Sequence, residues 1–438
     1  MTDLNRQTTE PTEPTLPGLG YRAWFLGLLV LLSASVVSAR YVLFVLVEPI
    51  RHEFNLTDPQ ISAVKDLSFL LAYVLAAVPV ARLSDTGSRR RIIAVAALGW
   101  SAAVMLCGQA LGFPTLFAGR FGIGVSESAF SSSSQALIAD KFPAKWRGTA
   151  VSIFLFGATM GNMIGPAFGG WAAKAHGWRW AFVVAGIPGL ILAPLAWFTL
   201  RDVHRGMSDG ARKSAAPPPG PSWASARELL AIPSLTLMVL SIGFSALLTM
   251  GMVSWMPAFM ARTHGMALAD VGKGMGAALF FGSFVGHSLG GPLCDMLIRR
   301  DRRWYMWILI VAGVSAALFG YAMLTGPAEL VFPLMFAQFA IGGLSAAPMM
   351  AALAALAPAR SRATAVTMLM LSINVIGFGL GPFFVGALSQ WLHPIYGEAS
   401  LGVAMRWTLL VALPSTVFAW IASRRFIADE ARALAALA

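Results

Sequence analysis

Arg147-Gly148-Thr149-Ala150-Val151 and Arg362-Ala363-Thr364-Ala365-Val366 decide the fold of this chain. Each leads into an apolar stretch that reaches Gly-Pro, at Gly165-Pro166 and at Gly381-Pro382. A second pair of short matches lies at almost the same offset: Ala81-x-x-x-Asp85 is followed by Arg89, Arg90 and Arg91, and Gly291-x-x-x-Asp295 by Arg299 and Arg300. Two landmarks that recur at one spacing, about 210–216 residues, make the chain two copies of one unit. Parallel repeats around an axis along the membrane normal are a transporter architecture, with the binding site between the copies near the bilayer midplane.

The repeated unit is built for lipid. Of 438 residues, 57% are hydrophobic and 12% charged, and the mean hydropathy is +0.70, whereas charged residues alone approach a quarter of a soluble globular protein. Apolar windows of about 20 residues, the length that crosses hydrocarbon, predict an all-α membrane protein of twelve transmembrane helices in two six-helix bundles. The predicted division is a tail over 1–21, a bundle over 22–200, a linker over 201–232, a bundle over 233–424 and a tail over 425–438. In the linker, Pro217-Pro218-Pro219-Gly220-Pro221 favours extended chain without a core of its own.

A net charge of +12 would suit nucleic acid in a soluble protein, so the placement of the 32 Lys and Arg residues has to decide. Most fall in loops and tails on one side, in clusters such as Arg89 to Arg91 pinned between two spans. That asymmetry predicts a cytoplasmic (inner) membrane protein with both termini cytoplasmic, and it excludes nucleic acid as a partner; membrane lipids are the expected surroundings. The first 20 residues lack an apolar core ending in a cleavage site, so no signal peptide is expected. Cys107 and Cys294 fall in spans of different halves, which predicts neither a disulfide nor a metal cluster. No cofactor is expected, and the chain reads as a monomer.

The loop from Ala81 to Arg91, with its second-half partner from Gly291 to Arg303, resembles the signature loop of the major facilitator superfamily, Ala81 standing where that family usually has glycine. A carboxylate at a helix end can pair with arginines and with the positive N-terminus of a neighbouring helix, holding one face shut in one state and releasing it in the other. On this reading Asp85, Arg89, Arg90, Asp295 and Arg299, with Arg147 and Arg362, gate the cytoplasmic side. Topogenic charge alone does not explain the aspartates, because acidic residues contribute little to orientation. Gly157, Gly161, Gly165 and Gly169 form one helix stripe. Small-residue packing accounts for it, and Gly161-x-x-x-Gly165-Pro166-x-x-Gly169-Gly170 is also similar to the motif of proton-coupled antiporters; both readings stand at this point.

Charges inside spans carry more information, since an arginine or carboxylate near a helix centre costs roughly 2.5–3.5 kcal/mol even on the lenient insertion scale. Arg40 lies in the first span, and Arg120 and Glu127 in the fourth, seven residues apart and so projecting from one face. We expect Arg40 to reach Glu127 across a cavity. Glu127 then takes up a proton when its arginine contact opens, and Arg40 or Arg120 binds an anionic head group; a permanent structural ion pair is the competing reading. Ser131 and Gln135 follow on the same span, and Asn162, Gln338 and Asn374 are polar groups in apolar stretches, candidates for hydrogen bonds to substrate or between helices. His287, eight residues before Asp295, is a second candidate proton site because imidazole titrates near neutral pH.

Several segments together are similar to the Spinster-like branch of the superfamily: Leu46-Val47-Glu48-Pro49-Ile50 with Glu53-Phe54, Gly119-Arg120 through Glu127, Leu137 through Pro143, Gly177-Trp178-Arg179-Trp180-Ala181-Phe182, and Arg300 through Tyr305. The resemblance implies transport of lysolipids, sphingoid phosphates or related amphiphiles. It maps a first-span Asp-Arg pair and a fourth-span glutamate onto positions 39, 40 and 127, with Ala39 in place of the aspartate. The leading expectation is therefore a secondary transporter with alternating access, proton-coupled, carrying an amphiphilic or lipid-like organic anion. The alternatives are an anion:cation symporter for small carboxylates such as sugar acids or aromatic acids, and a proton-coupled drug exporter. A receptor lacks an appended soluble domain, and an enzyme lacks any His-Glu-x-x-His, phosphate-cradling loop or two-aspartate arrangement.

Overall fold

The computed structural model describes residues 18–202, 223–358 and 361–435, and every regular element among them is helical. Nine helices among the described residues are long and apolar enough to cross a membrane, and the last of these, Thr364–Ala433, contains two crossings. With the second and fourth spans the chain makes twelve. The first six are Leu19–Val45, Asp58–Thr86, Arg89–Gly108, Phe113–Lys141, Ala144–His176 and Trp178–Thr199. The second six are Pro233–His264, Leu268–Ile298, Trp304–Thr325, Ala328–Leu356 (broken at Leu344 and Ser345), Arg362–Tyr396 and Ser400–Ala435. Twelve crossings leave both described ends on one side, called here the terminal side.

Two spans are not regular. The second runs as α-helix over Asp58–Ser62, π-helix over Ala63–Leu67 and α-helix over Ser68–Thr86, and the eleventh carries a π segment over Ser372–Leu380. π segments are rare and gather at functional sites. Here the second and eleventh spans meet across the halves beside these segments, so closely that a Cβ on Gly379 would stand 2.0 Å from Leu70 Cδ2, just past the first π segment.

The glycine stripe of the fifth span packs on the first. A Cβ on Gly157, Gly161 or Gly165 would stand 2.5–2.7 Å from the carbonyls of Val30, Ala34 or Ser38, so only glycine lets the backbones approach this closely. The duplication repeats the device: Gly377 abuts Ala246, and a Cβ on Gly381 would meet the Leu247 carbonyl at 2.5 Å, joining the eleventh span to the seventh. A separate set joins the halves. Substituting Gly170, Gly272 or Gly276 would drive a Cβ to 2.2 Å from Leu268 O, 2.1 Å from Pro166 O or 2.5 Å from Met163 O, respectively. These fifth-to-eighth contacts lie toward the ends of both spans remote from the terminal side.

Two boundaries differ from expectation. The last helix continues through the predicted tail to Ala435, because its extension is amphipathic and docks: Phe426 is fully buried, and Asp429 accepts from the Ser234 backbone N–H (3.0 Å) at the start of the seventh span. The linker ends in a helix, Trp223–Leu230, whose Leu229 is fully buried; its proline run lies outside the described residues.

Overpacking in such contacts costs about 1–3 kcal/mol. Gly272→Ala is therefore expected to favour parting of the halves on the side away from the termini. In a background free of Cys107 and Cys294, thiol labelling of Ser62→Cys, a fully buried position bonded to the other half, should then accelerate about 5- to 150-fold.

Candidate functional site between the halves

Arg40 meets Glu127. Its Nη1 donates to Glu127 Oε1 at 3.0 Å, with the side chains 16% and 13% exposed. Three rings surround the guanidinium, Tyr41, Phe69 and Phe378, with centroids 5.2, 5.1 and 5.4 Å from its carbon. Phe378 belongs to the π segment of the other half, which puts the ion pair at the interface of the repeats. The pair has spare capacity, because Glu127 Oε2 and Arg40 Nε are buried without a hydrogen-bond partner among the described residues.

Arg120 does something other than its spacing suggests. It is 1% exposed, and its Nη2 donates to the Lys65 carbonyl at 2.7 Å while Nη1 donates to the Arg40 carbonyl at 3.4 Å. The guanidinium bridges two backbones instead of sharing Glu127. A π turn leaves carbonyls without the regular helical donor, and Arg120 supplies one to the π segment of the second span.

That segment carries two charges that hydropathy windows pass over, because Lys65 and Asp66 sit in the first turns of their span. Both are buried. Lys65 Nζ donates to the Ser254 carbonyl of the seventh span (2.8 Å), lies 3.8 Å from Asp66 Oδ2, and stands 4.6 Å from the Trp255 ring centroid. Asp66 accepts from Ser254 Oγ at 3.1 Å.

Further toward the side away from the termini, a second cross-half network closes the interface. Arg262 of the seventh span donates through Nε to Glu48 (2.8 Å) and through both terminal nitrogens to Asp58 (3.1 and 2.9 Å). Arg51 lies 3.5 Å from Asp58, and Ser389 of the eleventh span donates to Asp58 at 2.7 Å. Ser62 and Trp255 both donate to the Pro382 carbonyl at 2.9 Å. Sequence reasoning singled out Glu48 only within a resemblance; the signal that could have found this seal is Arg262 opposite Glu48 and Asp58 at span ends on the same side.

A profile of the Major Facilitator Superfamily matches residues 24–370. The chain belongs to the major facilitator superfamily. It is 31% identical to an MFS-type efflux pump of Mycolicibacterium smegmatis over 94% of this chain and 96% of that one. It is 26% identical to a probable galactarate/D-glucarate transporter of Bacillus subtilis over 64% and 66%, and 27% identical to human protein spinster homolog 1 over 58% of this chain and 50% of that one. Its fold is similar to a crystal structure of a bacterial homolog to human lysosomal transporter Spinster in an inward-facing, unoccupied conformation, with a TM-score of 0.82 and 24% identity over 94% of this chain and 99% of that one. This facilitator is thus a multi-pass membrane transporter of Spinster-like architecture, not an enzyme.

The remaining predicted residues fall into three groups. Ser131 accepts from Gln135 Nε2 (3.2 Å) one turn and two turns beyond Glu127, on a face whose exposure rises toward the terminal side. His287 and Gln338 line a cavity of about 340 Å³ inside the second half, with Ser245, Thr249, Phe339 and Ile373; His287 Nδ1 bonds the Ser283 carbonyl (2.7 Å) of its own helix. Asn374 donates back to the Met370 carbonyl (2.8 Å) within the π segment's span, and the Oδ1 of the half-buried Asn162 has no partner among the described residues.

The predicted gate on the terminal side makes its contacts within one half. Arg89 pairs with Asp140 and donates to the Ala136 carbonyl, and Asp202 accepts from the Arg90 backbone N–H (3.1 Å) and from Ser88. The Asp85 side chain lies outside the described residues. Asp295, Arg299 and Arg362 are exposed and Arg147 half-buried. The bonds described on this face stay within the first half, whereas those on the opposite face cross between the halves.

Removing one partner of a buried ion pair costs about 3–5 kcal/mol. Arg262→Ala should accordingly shift spin-label distances across the sealed face toward the parted state. A smaller, pH-linked effect is expected at Glu53, in the connection after the first span, where hydrogen bonds from Arg179 (2.7 Å) and Trp178 (2.7 Å) hold its carboxyl below its ordinary 4.5. A depressed pKa gives stability present above that value and lost as pH falls through the folded one. Both Glu53 and Arg179 are about two-fifths exposed, so Glu53→Gln should remove less than about 1 kcal/mol, visible in thermal melts at neutral pH and absent in strong acid.

Proposed function

We propose that this facilitator is a proton-coupled secondary transporter of an amphiphilic organic anion such as a lysolipid, acting as a monomer in the cytoplasmic membrane with both termini cytoplasmic. One observation carries the reading. The buried cluster between the halves sets three cations, Arg40, Arg120 and Lys65, against two carboxylates, Glu127 and Asp66. An excess positive charge at membrane depth is costly until an anion joins it.

Arg40 is the cation placed to receive that anion, because Arg120 is spent on carbonyls and Lys65 on Ser254. While Glu127 is ionised it occupies Arg40. A proton on Glu127 removes the attraction and frees the guanidinium to bind a carboxylate or phosphate in a bidentate way. Proton and anion then share the site and move together when the halves rock. Tyr41, Phe69 and Phe378 offer an apolar collar to a tail, and the π segment that supplies Phe378 also contributes Ile373 to the second-half cavity. A second reading is supported by the Bacillus relative: a small dicarboxylate such as a sugar acid would satisfy the same arginine without using the apolar walls.

Uptake of a labelled lysophospholipid into proteoliposomes under an imposed pH gradient tests the proposal. Glu127→Gln should reduce gradient-driven uptake to background while sparing expression, and Arg40→Ala should weaken binding roughly 10- to 100-fold, the value of a charged hydrogen bond. Competition decides between substrates: lysolipids displace the label on the leading reading, and D-glucarate on the second. Driven uptake unchanged in Glu127→Gln would remove the coupling role.

A further inference from the structure

The two repeats treat one equivalent seam differently. In the second half, the seam between the seventh and eleventh spans is covered on the terminal side by the linker helix Trp223–Leu230. That helix is an amphiphile. Its Leu229 is fully buried, its Glu228 accepts from Ser361 (3.3 Å) just ahead of the eleventh span, and its Leu230 carbonyl accepts from Thr236 (3.1 Å) of the seventh. In the first half the corresponding seam lies between the first and fifth spans, and among the described residues no helix covers it. A cavity of about 350 Å³ opens there instead, walled by Leu26, Phe142 and Ile153 and lined as well by Arg22 and Trp146.

Arg22 marks the chemistry of this cavity. It is half-buried, its Nε is cut off from water without a hydrogen-bond partner among the described residues, and its guanidinium carbon stands 5.9 Å from the Phe142 ring centroid. The exposed Lys145 lies beside it in sequence with Trp146, its Nζ 5.6 Å from that ring. Neither cation pairs with a carboxylate among the described residues. A guanidinium with unmet donors at the edge of hydrocarbon is completed by an anion.

The seam also continues as an apolar track. Gly27, one turn past Ala23, has open space where a Cβ would stand. A second cavity of about 460 Å³ follows between the first, fifth and sixth spans, lined by Leu31, Ile164, Phe168 and Ile191. Leu31 and Ile191 are 54% and 64% exposed, so the track faces the acyl chains around the protein and not the site between the halves. From Arg22 to Ser35, which also lines the second cavity, the first span rises roughly 20 Å at 1.5 Å per residue, enough to take a chain through one leaflet's hydrocarbon of about 15 Å.

We propose that this seam binds one anionic phospholipid of the leaflet on the terminal side, its phosphate on Arg22 with Lys145 nearby and one acyl chain laid past Gly27 to Leu31 and Ile191. The lipid gives the first half what the linker helix gives the second: an apolar body against two spans and a negative group at their starts. Net charge selects the head group, because a zwitterionic head brings its own cation toward Arg22 and Lys145 and an anionic one does not. The site belongs to one half alone and is independent of the substrate bound between the halves.

The test titrates full-length protein in a neutral detergent with dioleoyl phosphatidylglycerol or dioleoyl phosphatidylcholine, reading melting temperature and the lipid retained in native mass spectra. A ligand of the folded form raises the melting temperature by mass action. Phosphatidylglycerol should do so saturably and remain bound as one copy, with phosphatidylcholine about fivefold weaker. Arg22→Gln should lose that preference, about fivefold being the worth of one cation at a membrane surface, and Arg22→Lys should keep most of it. Gly27→Phe fills the track and should weaken both lipids, which secures the test should Arg22→Gln fail to fold. Equal binding of the two lipids by the native chain, or phosphatidylglycerol binding unchanged in Arg22→Gln or in Gly27→Phe, overturns the proposal. It falls equally if phosphatidylglycerol has no effect while joint replacement of Glu10 and Glu13 by Gln lowers the melting temperature as Arg22→Gln does, because the chain's own first segment is then the occupant.

Discussion

Arg120 is the residue on which the site depends. A guanidinium sealed from water inside a membrane protein depends on neighbours for its hydrogen bonds. Through Nη1 and Nη2 Arg120 takes backbone, holding the Lys65 carbonyl on the second span and the Arg40 carbonyl on the first from its own place on the fourth, while its Nε has no hydrogen-bond partner among the described residues. Three spans are thereby fixed relative to one another at the depth where they face the other half. The π segment at Ala63–Leu67 and the buried Arg120 explain each other: the widened turn exposes a carbonyl, and the arginine satisfies it.

With that frame in place, Arg40 is the arginine of the cluster that pairs with a carboxylate. Its ion pair with Glu127 is only partly exposed, ringed by aromatics from both halves and not saturated. A permanent structural pair would be expected to fill the second carboxylate oxygen, since charge-assisted hydrogen bonds in a low dielectric are strong and an unfilled acceptor is costly. Glu127 Oε2 has no hydrogen-bond partner among the described residues, in line with the exchange of partners proposed for it.

The duplicated landmarks made the fold legible in the sequence, because two copies of a unit must place equivalent helices in equivalent contacts. The fifth span packs on the first through Gly157, Gly161 and Gly165, and the eleventh on the seventh through Gly377 and Gly381. Packing thus accounts for the stripe that also resembles an antiporter motif. Arg40 and Glu127 were legible for a different reason: a charge at the centre of an apolar window is costly enough to require a partner. Lys65, Asp66 and Arg262 escaped because they lie near span ends, where a charge normally finds water, and only the crossing geometry shows that the other half covers them. Arg120 misled because helical spacing gives the direction in which a side chain leaves its helix, not the backbone atom at which a long side chain arrives.

The distribution of bonds between the two faces says what rocking must exchange. On the sealed face, Arg262, Glu48, Asp58, Ser389, Lys65 and Ser254 all bond across the halves. On the terminal face, Arg89 pairs with Asp140, and Asp202 accepts from Ser88 and the Arg90 backbone N–H, all within the first half. A transporter needs its two states within a few kcal/mol of each other, yet the sealed face alone holds several charge-assisted bonds. Opening it is affordable only where the parted charges find water, a proton or a bound anion. The charges at the seal and the arginine at its inner edge are therefore the parts through which solvent and a bound anion bear on the balance between the states.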